Sequence, residues 1–197
     1  MTHSTKQRLI DVGLRMLLEH GYNDLGIHAL ITEAGVSKGS FYHHFRDKQD
    51  FALQVIGAYM TQVHAGLDAC LGDHERPPLA RVRHFFEQTK QAYQDEGYMG
   101  CLLGELGQEL SGVSDLFRLR IEECLSAIAK RIAVCLEEAR QRGEIPTEGD
   151  VRQVADLIVD CWEGAALRSR LRRNPASLNA MLDFCIRSVA IGGSLHS

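Results

Sequence analysis

The sequence predicts an all-α chain of about nine helices, with a small three-helix part at the N-terminus and a larger helical part behind it. Three observations carry this. Only four prolines occur in 197 residues, so long stretches run without a break. No stretch sustains the period-two alternation of a half-buried strand. Apolar residues instead recur at spacings of three and four between capping residues and glycines, the signature of helices that each bury one face. Hydrophobic residues make up 45%, enough to build a packed core, and no internal repeat interrupts the pattern.

The elements follow in order. Ser4 or Thr5 caps a first helix over about 5–20, striped by Leu9 or Ile10, Leu14, Leu17 and Leu18 and ended by Gly21. A short helix over about 27–34 turns Leu30 and Ile31 inward, and Gly35 stops it. Ser37 caps a third, very short helix through about His44; Asp47 caps a longer fourth that reaches about Leu71. The string G-D-H-E-R-P-P at 72–78 reads as a loop. Helices then cover about 79–94, 98–110, 114–142, 150–172 and 175–191. In the 114–142 stretch Phe117, Ile121, Cys124, Ile128, Ile132 and Cys135 recur at helical spacing, and Gly143 ends it. Residues 192–197 should fray. The natural division is 1–50 against 51–197.

Charge and cysteines exclude several classes. The formal net charge is −4, and the first fifty residues carry six Lys or Arg against six Asp or Glu. The chain is therefore no basic coat for nucleic acid, and any DNA contact must rest on where charge is placed. The start has no apolar signal segment, and no apolar run approaches the ~20 residues of a membrane helix. A cytoplasmic protein with reduced thiols is expected. The six cysteines form no C-x-x-C pair, so a zinc site is not expected; no other cofactor is expected either. Cys124 and Cys135 would stand roughly 16 Å apart along one helix, too far for a disulfide.

The segment I-H-A-L-I-T-E-A-G-V-S-K-G-S-F-Y-H-H-F-R-D-K-Q-D-F, 27–51, carries most information. Two short helices meet at Ala34-Gly35-Val36, where Gly35 suits a left-handed turn residue. Phe41 and Phe45, four apart, face the core. That leaves Lys38, Gly39, Ser40, Tyr42, His43 and His44 outward, behind the Ser37 cap whose helix start favours phosphate. Gly39 allows close approach to a duplex; Ser40, Tyr42 and His43 can donate or accept at base edges or phosphates. Lys48, at the start of the next helix, can reach the backbone. A generic pair of packed helices would show the same glycine turn, but not this outward cluster.

Residues 5–55, and above all A-G-V-S-K-G-S-F-Y-H-H-F-R-D-K at 34–48, closely resemble the TetR family of repressors. The resemblance implies a homodimer that binds a palindromic operator and is released by a small-molecule effector. It implies phosphate contacts from Lys38, Tyr42 and Lys48, with Ser37, Gly39, Ser40, His43 and His44 on or near the groove face. One departure is Leu25-Gly26-Ile27, where the family often has a Thr or Ser cap. Glycine supplies no side-chain acceptor, so one phosphate contact should be lost.

Beyond residue 55 the resemblance weakens. The string G-Y-M-G-C-L-L-G-E-L at 97–106 is similar to a subgroup that includes the repressors of N-ethylmaleimide reductase and of acrylate-related genes. Cys101 would then sit in the first turn of a helix, where the dipole favours a thiolate open to oxidants or electrophiles. Tyr98, Phe117, Trp162 and Arg170 are the candidate companions of Cys101 in sensing. Each also has a plainer reading, as core or as a solvated face. The last two helices carry Val151, Val154, Ala155, Ile158, Val159, Ala165 and Ala166, then Leu178, Met181, Leu182, Cys185, Ile186 and Val189; these helices would pair across a two-fold as the family does, with packing inside the chain's own core as the alternative. Two readings stand against an electrophile-sensing repressor: reversible binding of an apolar molecule without cysteine chemistry, and a thiol enzyme using Cys101. The second lacks a readable His/Asp helper, so no catalytic residue is assigned.

Overall fold

A computed structural model describes residues 4–190 of the chain. These form nine α-helices and no strand: α1 (Thr5–Asp24), α2 (Ile27–Glu33), α3 (Lys38–His44), α4 (Lys48–Leu71), α5 (Pro78–Asp95), α6 (Leu102–Leu110), α7 (Asp115–Gln141), α8 (Val151–Arg172) and α9 (Ala176–Val189). The fold is all-α, as the sequence predicts. The expected fraying of 192–197 lies outside the described residues.

The caps lie where short polar side chains precede apolar runs. Ser4 Oγ accepts from Gln7 N at 3.2 Å, Ser37 Oγ from Ser40 N at 3.1 Å and Asp47 Oδ1 from Asp50 N at 2.7 Å. Gly26 caps α2 with no side-chain bond. Two boundaries differ from the sequence reading. Helix α1 runs on to Asp24, but its backbone breaks at Gly21 (φ 77°, ψ 179°). Helix α6 begins at Leu102, not near 98, because Gly97, Tyr98 and Gly100 take positive φ values that no α-helix accommodates. Cys101 is therefore the cap of α6 and not a member of its first turn.

By packing, the chain forms two compact units: residues up to 63 with 101–121, and 64–100 with 122 onward. In the first, α1 packs on α2, α3 and α6 around Leu9, Leu17, Leu30, Phe41, Phe45 and Phe51. A side chain at Gly13 would start 2.2 Å from the Phe51 ring, so the glycine lets that ring close against α1. In the second, α9 packs on α5 and α8. Its aromatic centre is Trp162, with ring centroids 4.7 Å from Phe86 and 6.0 Å from Tyr93.

The last two helices bury one apolar side within their own unit and leave another exposed. Ile158, Val159, Ala165, Ala166, Leu178, Leu182 and Cys185 are all buried inside this unit of the single chain. They are its own core. The apolar side chains left exposed on these helices are Leu157, Leu167, Leu171 and Phe184. Both faces of α8 carry apolar residues, and periodicity alone does not say which face meets the rest of its own chain. Cys161 is half-buried; Cys124, Cys135 and Cys185 are buried. No helix among the described residues is long and apolar enough to cross a membrane.

Candidate nucleic-acid interface and the Cys101 region

The α2–α3 turn is built by one residue. Gly35 takes φ 63°, its N–H donates to Thr32 O at 3.2 Å, and Val36 N–H reaches back to Ile31 O at 3.0 Å. This pair of bonds closes a helix C-terminus with the left-handed residue that glycine adopts freely. The chain then re-enters a helix at Ser37. Phe41, fully enclosed, lies 5.3 Å from Phe45 and 5.5 Å from Phe51 between ring centroids, and Phe45 lies 4.9 Å from Phe51. The three rings fix the rotation of α3 about its axis.

That rotation decides what faces out. Ser37, Lys38, Gly39, Tyr42 and His43 are exposed, and Ser40, His44 and Lys48 are half-buried. Ser40 Oγ is 3.0 Å from Ser37 Oγ, and the His43 and His44 rings stand 4.9 Å apart. Gly39, Ser40, His43 and His44 line a shallow depression with Thr5 of α1. Lys6 Nζ lies 5.9 Å from the Phe45 centroid. Thr5 and Lys6 had no sequence signal beyond helix capping; only packing brings the start of α1 beside α3.

Lys48 is held, not extended. Its ammonium donates to Asn23 O at 3.2 Å and sits 4.5 Å from the Tyr22 ring centroid. Burial lowers its pKa from the ordinary lysine value, against the attraction of Glu109 and Asp24. Burial likewise pushes the Tyr22 hydroxyl up.

The five sensing candidates separate between the units. Cys101 and Phe117 belong to the first; Tyr98, Trp162 and Arg170 belong to the second. Cys101 is half-buried, with Sγ 3.6 Å from the Tyr59 hydroxyl of α4. Phe117 is enclosed and meets the Tyr22 ring edge-on at 5.1 Å. Arg170 Nη1 donates to Met99 O at 3.2 Å, which ties α8 to the turn that contains Tyr98. Trp162 is enclosed in the aromatic cluster. Sequence reasoning missed Tyr59 and Glu109. A phenol four residues beyond the apolar Val55 could have drawn notice; Glu109 could not, since its partners lie 86 and 87 residues away.

A seven-residue helix behind a glycine turn, locked on an aromatic core, is the geometry of a helix-turn-helix, a motif of DNA-binding transcriptional regulators. Residues 9–55 match the family model of bacterial regulatory proteins of the tetR family, and 78–184 match the tetracyclin repressor-like C-terminal domain. The chain belongs to the TetR family of DNA-binding transcriptional regulators.

Its relatives include the transcriptional regulator AcuR of Cereibacter sphaeroides, 38% identical over 175 residues, which cover 88% of this chain and 80% of AcuR. The transcriptional repressor DhaR of Mycobacterium sp. strain GP1 is 29% identical, over 90% of this chain and 88% of DhaR. The transcriptional repressor NemR of Escherichia coli K12 is 27% identical, over 87% of each chain. A regulatory protein TetR from Rhodobacter sphaeroides superposes with a TM-score of 0.89 at 37% identity, covering 93% of this chain and 98% of that one. Reduced E. coli NemR shares the fold at a TM-score of 0.85, over 98% of this chain and 100% of that one.

Proposed function

We propose that the protein is a repressor that binds a palindromic DNA operator as a homodimer and lets go when a small molecule acts near Cys101. The observation that carries the reading is the outward face of α3, where Lys38, Gly39, Tyr42 and His43 are exposed over a fully enclosed Phe41. Lys38, Tyr42 and Lys48 are assigned to phosphates; Ser37, Gly39, Ser40, His43 and His44 to the groove. Leu157, Gly164 and Leu171 recur every seven residues along the exposed side of α8. That stripe, with Phe184 of α9, supports a two-fold helix pairing with a second copy. In the DNA-bound state the two α3 helices would stand about 34–36 Å apart, one duplex turn. The effector would favour a state with another spacing.

Tyr42→Ala and Lys48→Ala are each expected to weaken operator binding on all operator sequences alike. Each should lower the slope of log affinity against log salt by about one, with the dimer intact. Gel shifts across a salt series check this, and unchanged affinity in both variants overturns the site.

The effector reading rests on a half-buried thiol capping α6 beside Tyr59, with family relatives that are repressors. The chemistry is conjugate addition. The Cys101 thiolate bonds to the β-carbon of an enal or maleimide, the alkene pair moves to the α-carbon, and water returns the proton. The net change is S–H added across C=C, with no leaving group. N-ethylmaleimide is expected to release the wild-type protein from operator DNA and to leave Cys101→Ser bound. An equally responsive Cys101→Ser protein would shift the reading to reversible binding of an apolar molecule.

A further inference from the structure

We infer that Glu109 of α6 is a positioning residue for Lys48, so that the state of α6 is read out as one phosphate contact on DNA. This rests on the reading of Lys48 as a phosphate ligand.

The geometry is a two-step clamp within the first unit. Gly21 breaks the backbone of α1, which frees the next two amides from the helical ladder. One carboxylate collects both: Glu109 Oε2 accepts from Tyr22 N at 2.7 Å, and Oε1 accepts from Asn23 N at 2.6 Å. A side chain at Gly21 would start 2.8 Å from Glu109 Oε2, so the glycine also leaves room for the carboxylate. The two residues it clamps are the two that hold Lys48. Asn23 offers the carbonyl that accepts from Nζ, and Tyr22 offers the ring face beneath it. The Tyr22 ring in turn rests on Phe117 of α7.

An ammonium has three N–H donors. Asn23 O uses one, which leaves two that a phosphate oxygen can take while the ring and the carbonyl hold the head still. Pre-fixing a long, flexible side chain removes most of the ordering cost of the contact. Helix α6 starts at Cys101 and carries Glu109 two turns on. A change at the cap of α6 therefore reaches the clamp along a single rigid helix.

The test is a double-mutant cycle on operator affinity, measured over a salt series with E109Q, K48A and the pair. K48A is expected to lose about tenfold in affinity and about one in salt slope. E109Q keeps an acceptor but loses the charge and one strong amide bond, and should move both readings the same way. The double variant should be no weaker than K48A alone. Circular dichroism and sizing check that each protein is folded and dimeric. If E109Q does not fold, Glu109→Asp takes its place, because the shorter carboxylate keeps the charge and cannot span both amides in the same way; it should lower the slope like K48A. Full additivity with an unchanged slope in E109Q, or in Glu109→Asp where it stands in, reduces Glu109 to a structural staple and overturns the relay alone. A K48A protein with full affinity and an unchanged slope overturns the phosphate assignment and the relay together.

Discussion

Phe41→Ala is expected to abolish operator binding although it alters no group on the exposed face of α3. The ring is wholly enclosed and touches Phe45, Phe51 and, edge-on at 5.2 Å, Tyr42. Truncating such a ring costs about 3–5 kcal/mol, partly lost transfer energy and partly the cavity left behind. Total domain stability is roughly 5–15 kcal/mol, so this one change removes a large share of what holds α3 against α4. Without the Phe41 contacts to Phe45 and Phe51, the rotation that turns Tyr42 and His43 outward keeps only the Phe45–Phe51 contact. Phe41→Leu keeps most of the volume and should cost less than about 1.5 kcal/mol, with most binding retained. Denaturant titration and gel shift on both variants check this. A Phe41→Ala protein with wild-type stability and full affinity would remove the aromatic cluster from its assigned role.

The contrast shows what a sequence can report. Ser37 and Asp47 were legible as caps because capping is local: a short oxygen three residues ahead of a free amide. Gly35 was legible for the same reason, and Phe41 with Phe45 because a four-residue spacing puts both on one helix face. Cys101 was misplaced by one element position because Tyr98, between two glycines, takes a positive φ that its own residue type does not announce. Glu109 and Arg81 were invisible. Each looks like an ordinary polar residue on a helix, and each earns its role from partners that only the folded chain brings near. On α8 periodicity leaves a related point open: a helix with apolar residues on two sides does not say which side its own chain covers.

Arg81→Ala is the second large effect expected, on stability of the second unit. The side chain is 1% exposed, yet carries a charge. Its Nη1 donates to Leu71 O at 2.9 Å, its Nε to Arg76 O at 3.1 Å, and its Nη2 to Glu138 Oε1 at 2.7 Å. One guanidinium thus joins the end of α4, the 72–77 loop and α7. Removal takes the side-chain donor from the Leu71 carbonyl in a buried place and from the partly buried Arg76 carbonyl, and leaves a void.

Breaking a buried charged pair costs roughly 3–5 kcal/mol. The low end, about 3 kcal/mol, applies here because Glu138 keeps Arg142 at 2.5 Å and is partly open to water. The same asymmetry predicts that Glu138→Gln costs far less than Arg81→Ala, since the amide oxygen still accepts and the carbonyls keep their donor. The hydrogen bond from Arg81 holds the Glu138 carboxyl below its usual range. A depressed folded value means that this contribution is present above about pH 4.3, the ordinary glutamate value, and is lost as pH falls through the depressed one. The Arg81→Ala penalty should therefore be equal at pH 7 and pH 8 and should shrink only on the acid side. Urea titrations of both variants over that range decide the matter: equal losses for Glu138→Gln and Arg81→Ala at neutral pH would make the ion pair, and not the carbonyl bonds, the reason this arginine is buried.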